Sequence, residues 1–304
     1  MLANLLQAEI LLLVIINGIY FGGYLFLLSM GLAITTSTLR LFNLSHGVFY
    51  ALGGYIFAST SLLLYQSGMP LTVLVGLAMM VTVVTAFTGG LFIEKVFLRH
   101  VYKRHEFYQL LLTFGLLLVF QDLILIVWGP SPIKSVPIYE RFPNFSFGVF
   151  TYSAYSIFIP FISLLIMLAL LYFTKKTVAG KILLAVASDP EICECLGLRV
   201  NSYRNLAFGL GAILASLGGS FFIVTSAAVP GLGVEALVVA FSIIAISGLG
   251  SISGIYISSI IVGLTRSLLT MVIPELELFI VYLVVMLILL LKPSGLFGRE
   301  VIRV

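Results

Sequence analysis

Apolar residues run through this chain in long unbroken stretches, separated by short polar islands. The first run covers about Leu11 to Thr35. The second opens after Arg40 with Asn43-Leu44-Ser45-His46-Gly47 and continues as VFYALGGYIFASTSLLLY. Further runs cover Leu71 to Phe97, Leu110 to Trp128, Tyr155 to Phe173 and Leu206 to Thr225. After the break Pro230-Gly231-Leu232-Gly233 come a short apolar piece from Glu235 to Ile246 and a second polar knot from Ser247 to Gly254. IYISSIIVGLTRSLLTMVI follows, closed by Pro274, and the last run is Leu278 to Leu291. Several runs exceed the ~18 residues that carry a helix across a bilayer. The pattern predicts an all-α, polytopic integral membrane protein. It has about eight or nine transmembrane helices, with discontinuous or re-entrant segments near 43–47 and 230–254. The period-two alternation of an outer-membrane barrel is absent.

Composition sharpens this picture. The residues are 61% apolar and 9% charged, and mean hydropathy is +1.20, whereas a soluble domain is nearer a quarter charged. Residues 1–304 read as a single transmembrane domain. The first run lacks a basic leader and a small-residue cleavage site, so it is expected to be a retained span. The net charge of +4 comes from loops; no basic patch carries the interleaved aromatics of a nucleic-acid binder. Those loops orient the chain. Arg40, the loop Arg99 to His105, the island with Lys175, Lys176, Lys181, Arg199 and Arg204, and the tail with Lys292, Arg299 and Arg303 share one side if the spans alternate. The positive-inside rule makes that side cytoplasmic, with the N-terminus outside and the C-terminus inside. Glu9, Glu275, Glu277 and the Pro-rich loop Gly129 to Tyr152, which reads as ordered, fall outside.

Three places carry candidate chemistry. The island Lys175 to Asn201 holds a punctuated short helix within 186–198. Ser188 or Asp189 caps it, Pro190 suits its first position, Glu191 its positive end, and Gly197 a left-handed stop. Such a helix outside the membrane either docks a soluble partner or simply connects two spans. The knot at Asn43, Ser45 and His46 either lines a pathway or is a capped helix start with a hydrogen-bonded histidine. The second knot, rich in Gly and Ser, precedes another span with small residues, a rhythm that hints at an internal repeat. Within the spans, Asp122 is expected to face inward or lie near an end, and Arg266 to reach Glu275 or Glu277 by snorkelling. Gly209, Gly211, Gly218 and Gly219 invite a close backbone approach. Cys193 and Cys195 point to different faces and suggest neither a zinc site nor a disulfide.

Several functions lack their residues. No GxxxxGK[ST] loop is present, so this chain is not expected to hydrolyse ATP. There is no HExxH and no nucleophile elbow, and His46, His100 and His105 make no metal cluster. The chain is expected to be no enzyme and to carry no cofactor of its own.

The residues resemble the membrane permeases of ABC importers for branched-chain amino acids, the LivH-like branch. Asn43-Leu44-Ser45-His46-Gly47 with Ala51-Leu52-Gly53-Gly54-Tyr55 is similar to that family's NLAHG…LGAY segment. Ala187-Ser188-Asp189-Pro190-Glu191 through Leu196-Gly197-Leu198 is similar to its cytoplasmic coupling loop. Ala240-Phe241, Gly248-Leu249-Gly250-Ser251 and Gly254, then Lys292-Pro293-Ser294-Gly295-Leu296-Phe297-Gly298, are similar to its AF…GGLGS…G and (R/K)PxGLFG. Two departures stand out: Val239 where relatives often carry a basic residue, and Ser247 for the first glycine of the GG pair.

The resemblance implies a permease subunit in the cytoplasmic (inner) membrane of a bacterium or archaeon. It implies a LivM-like sister permease, two LivG/LivF-like ATPases that carry ATP and Mg, and a periplasmic or lipid-anchored binding protein. It implies coupling to the ATPases through Asp189, Pro190, Glu191, Glu194, Gly197 and Arg199. It implies a translocation pathway at Asn43, Ser45, His46, Gly47, Gly248, Gly250, Ser251 and Gly254. The expected cargo is branched-chain or related amino acids. Alternatives are the same machinery with urea, a short amide or another amino acid, and an ATP-independent channel or secondary transporter.

Overall fold

The computed structural model describes residues 2–102, 104–136, 138–147, 150–248, 250–292 and 295–297. Lys103, Leu249, Pro293, Ser294, Gly298, Arg299 and Arg303, which figure in the motifs and the charge pattern above, lie outside the described residues, as does the C-terminus.

Each apolar run becomes a helix, since only a helix satisfies its own backbone in lipid. In chain order these are α1 (Leu2–Leu39), α2 (His46–Gln66), α3 (Leu71–Val96) and α4 (Glu106–Trp128). A four-residue helix, α5 (Ile138–Arg141), and an antiparallel hairpin of β1 (Asn144–Phe147) and β2 (Phe150–Ser153) follow. The chain continues through α6 (Tyr155–Lys176), α7 (Val178–Ser188), α8 (Pro190–Cys195), α9 (Val200–Ile223), α10 (Leu232–Ser247), α11 (Ile252–Val272) and α12 (Glu277–Leu291). Seven described helices are long and apolar enough to cross a membrane. With the 16-residue α10 and the 15-residue α12, the apolar helices of the bundle match the expected all-α, polytopic architecture.

Helix α1 is the axis, with α11 on one side and α9 on the other. Its partners are set by small residues. A side chain at Gly22 would meet the Ile260 backbone 2.8 Å away, and one at Gly18 would meet Leu264. One turn further along, the Phe26 and Tyr256 rings lie 5.1 Å apart. Helix α9 is held to α2 by two buried serines, Ser216 Oγ donating to the Phe49 carbonyl (2.8 Å) and Ser220 Oγ to that of Gly53 (3.1 Å). The described residues of the segment between α4 and α6 make contacts with the bundle. Its Ile133 pairs with Ala228 of the α9–α10 loop as an isolated bridge, and the Trp128 indole donates to Ser59.

These contacts define two ends of the bundle, one bearing the β-hairpin and the other bearing α7 and α8. The polar knots break the helices at a common level. The antiparallel pairing of α1 with α11 steps by four residues from Gly18–Leu264 to Gly22–Ile260 to Phe26–Tyr256, so Ile252 opens α11 beside Met30. His46 opens α2 against Gly31. The α9–α10 loop also penetrates the bundle. Ile223, at the end of α9, lies against Gly54, but Gly233 abuts Gly47, so α10 starts about 10 Å deeper.

Two charged residues of the spans find the following surroundings. Asp122 lies in the last two turns of α4, which ends at Trp128, and is exposed there; of the two expected placements the inward one is not taken, because the buried stripe of that helix passes through Leu117 and Ile124. Arg266 pairs with Glu235 at 3.9 Å; the discontinuity before α10 brings that carboxylate into the wall beside α11, and the Glu277 side chain, also named above for Arg266, lies outside the described residues.

Candidate functional site

The basic island folds as two helices where the sequence suggested one. Thr177 caps α7 by accepting from the Gly180 amide, a signal readable in Thr-Val-Ala-Gly but overshadowed by the stronger cap that follows. At that second cap Asp189 Oδ1 accepts from the amides of Glu191 (3.0 Å) and Ile192 (3.1 Å), with Pro190 in the first turn. Gly197 closes α8 in the left-handed region at φ 77°. The Leu198 amide donates back to the Cys193 carbonyl, and Leu198 packs with Cys193, Val186 and Val200 in a small satellite core, the usual partner of such a stop. One face of α8 is therefore anchored by Cys193, while Glu191, Glu194, Cys195, Gly197 and Arg199 are exposed and Asp189 and Pro190 half-buried. The sequence reading missed Ile192 and Leu196, 58% and 74% exposed. They form an apolar face flanked by two carboxylates.

Arg40 is the residue that ties this hairpin to the transmembrane core. It ends α1 at a positive φ of 54°, the one described non-glycine residue to do so. Its Nε donates to the Ala187 carbonyl at 3.3 Å, and Nη2 donates to that of Ser188. A cation on the last carbonyls of α7 also meets the negative end of that helix. The sequence flagged Arg40 as an orientation marker only.

Three residues beyond Arg40 the knot begins. Asn43, Ser45 and His46 are completely buried. Asn43 Oδ1 accepts from the Ser45 amide (3.1 Å) and hydroxyl (2.6 Å), which folds the turn that starts α2. The Asn43 amide nitrogen and both imidazole nitrogens of His46 have no hydrogen-bond partner in good geometry. Glycine makes room for the ring: a Cβ at Gly31 would stand 2.9 Å from Nε2 and one at Gly211 3.1 Å from Cε1. Gly47 sits backbone to backbone with Gly233 of α10. Three orphaned polar atoms in one buried turn are costly to retain.

The second knot is arranged differently. Gly248 is buried and Gly250 exposed, both at positive φ, and Ser251 Oγ caps α11 by accepting from the Gly254 amide. The tail covers this turn. The Leu296 and Phe297 amides donate to the Ile246 and Ser247 carbonyls, and a side chain at Gly254 would strike Phe297. The structure thus gathers Asn43, Ser45, His46 and Gly47 around α1, α9 and α10, and Gly248, Gly250, Ser251 and Gly254 under the tail.

A third polar cluster, of which the sequence reading named only Arg99 and Arg204 as orienting charges, joins α3 to the start of α9. Glu94 is fully buried and takes Arg99 Nη2 at 3.1 Å and the Tyr102 hydroxyl at 3.0 Å. Arg99 also donates to Asn205 (3.0 Å), and the Arg204 guanidinium lies over the Tyr102 ring. Burial, reinforced by the adjacent Glu94 carboxylate, raises the Tyr102 phenol above its ordinary range, so it remains a donor. Among the described residues no group of three His, Cys, Asp or Glu could hold a metal ion.

Comparison with known proteins bears on this arrangement. The profile described as branched-chain amino acid transport system, permease component, matches residues 14–290. A high-affinity branched-chain amino acid transport system permease protein of Pseudomonas aeruginosa, BraD, is 27% identical over 94% of this chain and 95% of its own. The corresponding LivH protein of Escherichia coli is 26% identical over 93% and 94%. A probable LivH of Methanocaldococcus jannaschii is 25% identical over 84% and 79%. No solved structure matches the chain.

Proposed function

The chain belongs to the family of permease components of branched-chain amino acid transport systems, and from that premise we propose how its parts divide the work of an ABC importer. The α7–α8 hairpin is the coupling element. Asp189, Pro190, Glu191, Glu194, Gly197 and Arg199, with Ile192 and Leu196, present a surface to a cytoplasmic ATPase. Two such ATPases, of the LivG/LivF kind, hold the ATP and Mg; this chain performs no catalysis and keeps no cofactor. A LivM-like sister permease completes the channel, and a periplasmic or lipid-anchored binding protein delivers branched-chain or related amino acids at the end that bears the β1–β2 hairpin. The N-terminus is outside and the C-terminus cytoplasmic. Asn43, Ser45, His46 and Gly47 line or gate the path, and the turn from Gly248 to Gly254 sets the second break of the same level.

The observation that carries this reading is the Arg40 bridge. It connects the carbonyls that lead into the coupling helix with a knot three residues away that buries unpartnered polar atoms. A displacement of α8 by the ATPase is transmitted to the knot by bonds, and only such differential contact shifts the balance between outward- and inward-facing states. The test is co-purification followed by reconstitution. Affinity capture of the chain from its native membrane is expected to bring a Walker-motif ATPase and a sister permease, and the assembly in liposomes is expected to take up leucine only with ATP and the binding protein. A chain that is captured alone and conducts substrate without ATP overturns the reading in favour of a channel or secondary transporter.

A further inference from the structure

The turn between α3 and α4 carries Lys95, Arg99, His100, Arg104 and His105 in close succession. The spans on either side of it, Leu71–His100 and Glu106–Trp128, are long and apolar enough to cross a membrane, so the turn lies at a membrane surface. It stands at the end of the bundle that bears α7 and α8, because its Arg99 bonds to Asn205 near the start of α9. Leu98, completely buried, pins the turn to the bundle, while Lys95, His100 and Arg104 are exposed. Phe107 and Tyr108 are exposed in the first turn of α4, aromatic rings of the kind that settle at headgroup level. Helix α3 packs against α2 and α9, and α4 against α2, while α3 and α4 barely meet. Phe92 and Val96 on α3, and Leu110, Leu111 and Phe114 on α4, are left exposed to lipid. The cluster behind the turn is short of negative charge. Glu94 is paired with Arg99, whereas Arg204, stacked on Tyr102, has no acidic partner among the described residues. The Nε of each guanidinium is enclosed without an acceptor. Two half-buried cations thus share one carboxylate where water is partly excluded, and an anion relieves that cost. The Arg99 side chain is 37% exposed, so the cluster opens to the surface. The acid on the exposed side of the turn, Glu106, is held by the positive end of α4.

We infer that this turn is a binding site for an anionic glycerophospholipid, its phosphate taken by Arg99 and Arg204, flanked by Lys95 and His100, and its acyl chains lying along the exposed faces of α3 and α4. Arginine suits the phosphate because its donors fork onto two oxygens. A choline lipid brings its own cation to the same place and gains less from a basic surface. The bilayer also holds the headgroup at the turn at an effective concentration that free phosphate does not reach. The inference rests on the importer reading only for the leaflet, which the proposed orientation makes the cytoplasmic one.

The test uses the transporter purified with its partners in mild detergent. Equal amounts of phosphatidylglycerol and phosphatidylcholine are added, and native mass spectrometry reads which lipid is retained. Phosphatidylglycerol is expected to be preferred about fivefold or more. Arg204→Gln and Lys95→Gln are each expected to cut that preference by up to about fivefold, the scale of one basic residue at an anionic surface. Lys95 is exposed and outside the buried cluster, so its variant decides the matter if Arg204→Gln fails to fold. Lys175→Gln, which removes the same charge from the exposed end of α6, is expected to leave the preference unchanged. The idea is overturned if phosphatidylglycerol is not preferred, or if Lys175→Gln lowers the preference as much, which would mean diffuse surface charge. It is also overturned if millimolar inorganic phosphate displaces the lipid, or if the two variants shed the ATPases while keeping the lipid, which would make the turn a protein-docking surface. ATPase co-purification in the same preparations reads the importer assignment separately. An assembly that keeps its ATPases and shows no lipid preference refutes the site alone, and a lipid preference in a chain without ATPases refutes the importer alone.

Discussion

At the scale of single residues, the proposed pathway lies where polar atoms are buried against the grain of their surroundings. His46 is the clearest case. Its ring is enclosed by two glycine backbones, and neither nitrogen makes a hydrogen bond in good geometry, the Gly211 backbone giving only a poorly aligned contact; an unsatisfied group of this kind costs roughly 1–3 kcal/mol. Removing the ring relieves that penalty while leaving a void, and the two effects offset. His46→Ala is therefore expected to insert and retain its ATPases while ATP-driven uptake falls severalfold, checked by transport and co-purification on one preparation; loss of the ATPases would make His46 a structural residue instead. Arg40 behaves in the opposite manner. Its bonds to Ala187 and Ser188 lie at an exposed site, so little stability is at stake, but the link from coupling helix to knot runs through it. Arg40→Ala is expected to hydrolyse ATP at a rate close to the parent while moving several times less leucine per ATP. An unchanged stoichiometry would remove Arg40 from the coupling route.

At the scale of elements, α8 shows how local signals define the surface proposed for docking. The Asp189 cap, Pro190 and the Gly197 stop fix six residues as a helix without help from the bilayer, and Cys193 decides which face stays free. Glu191→Lys sets a cation at the positive helix end and reverses charge beside Ile192. It is expected to lower ATP-driven uptake by about tenfold or more with membrane insertion intact, measured by uptake against surface expression; normal uptake would deny α8 its coupling role. This element was legible in sequence because every determinant lies within ten residues. The spans were legible for a similar reason, since an apolar run of sufficient length has no alternative to a helix in lipid. What sequence could not supply was pairing. Glu235 stands far from Arg266 in the sequence, and the re-entry ahead of α10 carries it there. The partners of Glu94 include Asn205 through Arg99, more than a hundred positions away. Arg40 reads as a loop charge until α7, itself overlooked, brings its terminal carbonyls alongside.

At the scale of the whole molecule, one line of structure runs from the knot at His46 to Arg40 and the exposed face of α8. The line has a direction only if α8 lies in the cytoplasm, and the chain carries its own reporter for that. Of its two cysteines, Cys193 is buried and Cys195 exposed on the same short helix, and a thiol shielded in apolar surroundings reacts poorly. A membrane-impermeant maleimide is therefore expected to label the native chain at one site. In inside-out vesicles that site should react readily, in intact cells it should stay silent, and Cys195→Ser should abolish the signal while Cys193→Ser leaves it. Bound ATPases should slow the reaction severalfold, because Cys195 adjoins Glu194 and Leu196 on the docking face. Labelling from the outside of intact cells would invert the topology and detach α8 from any ATPase. Labelling from the cytoplasmic face that is indifferent to the ATPases would keep the topology and move the docking surface elsewhere on the hairpin, toward the exposed Val178 and Leu184 of α7.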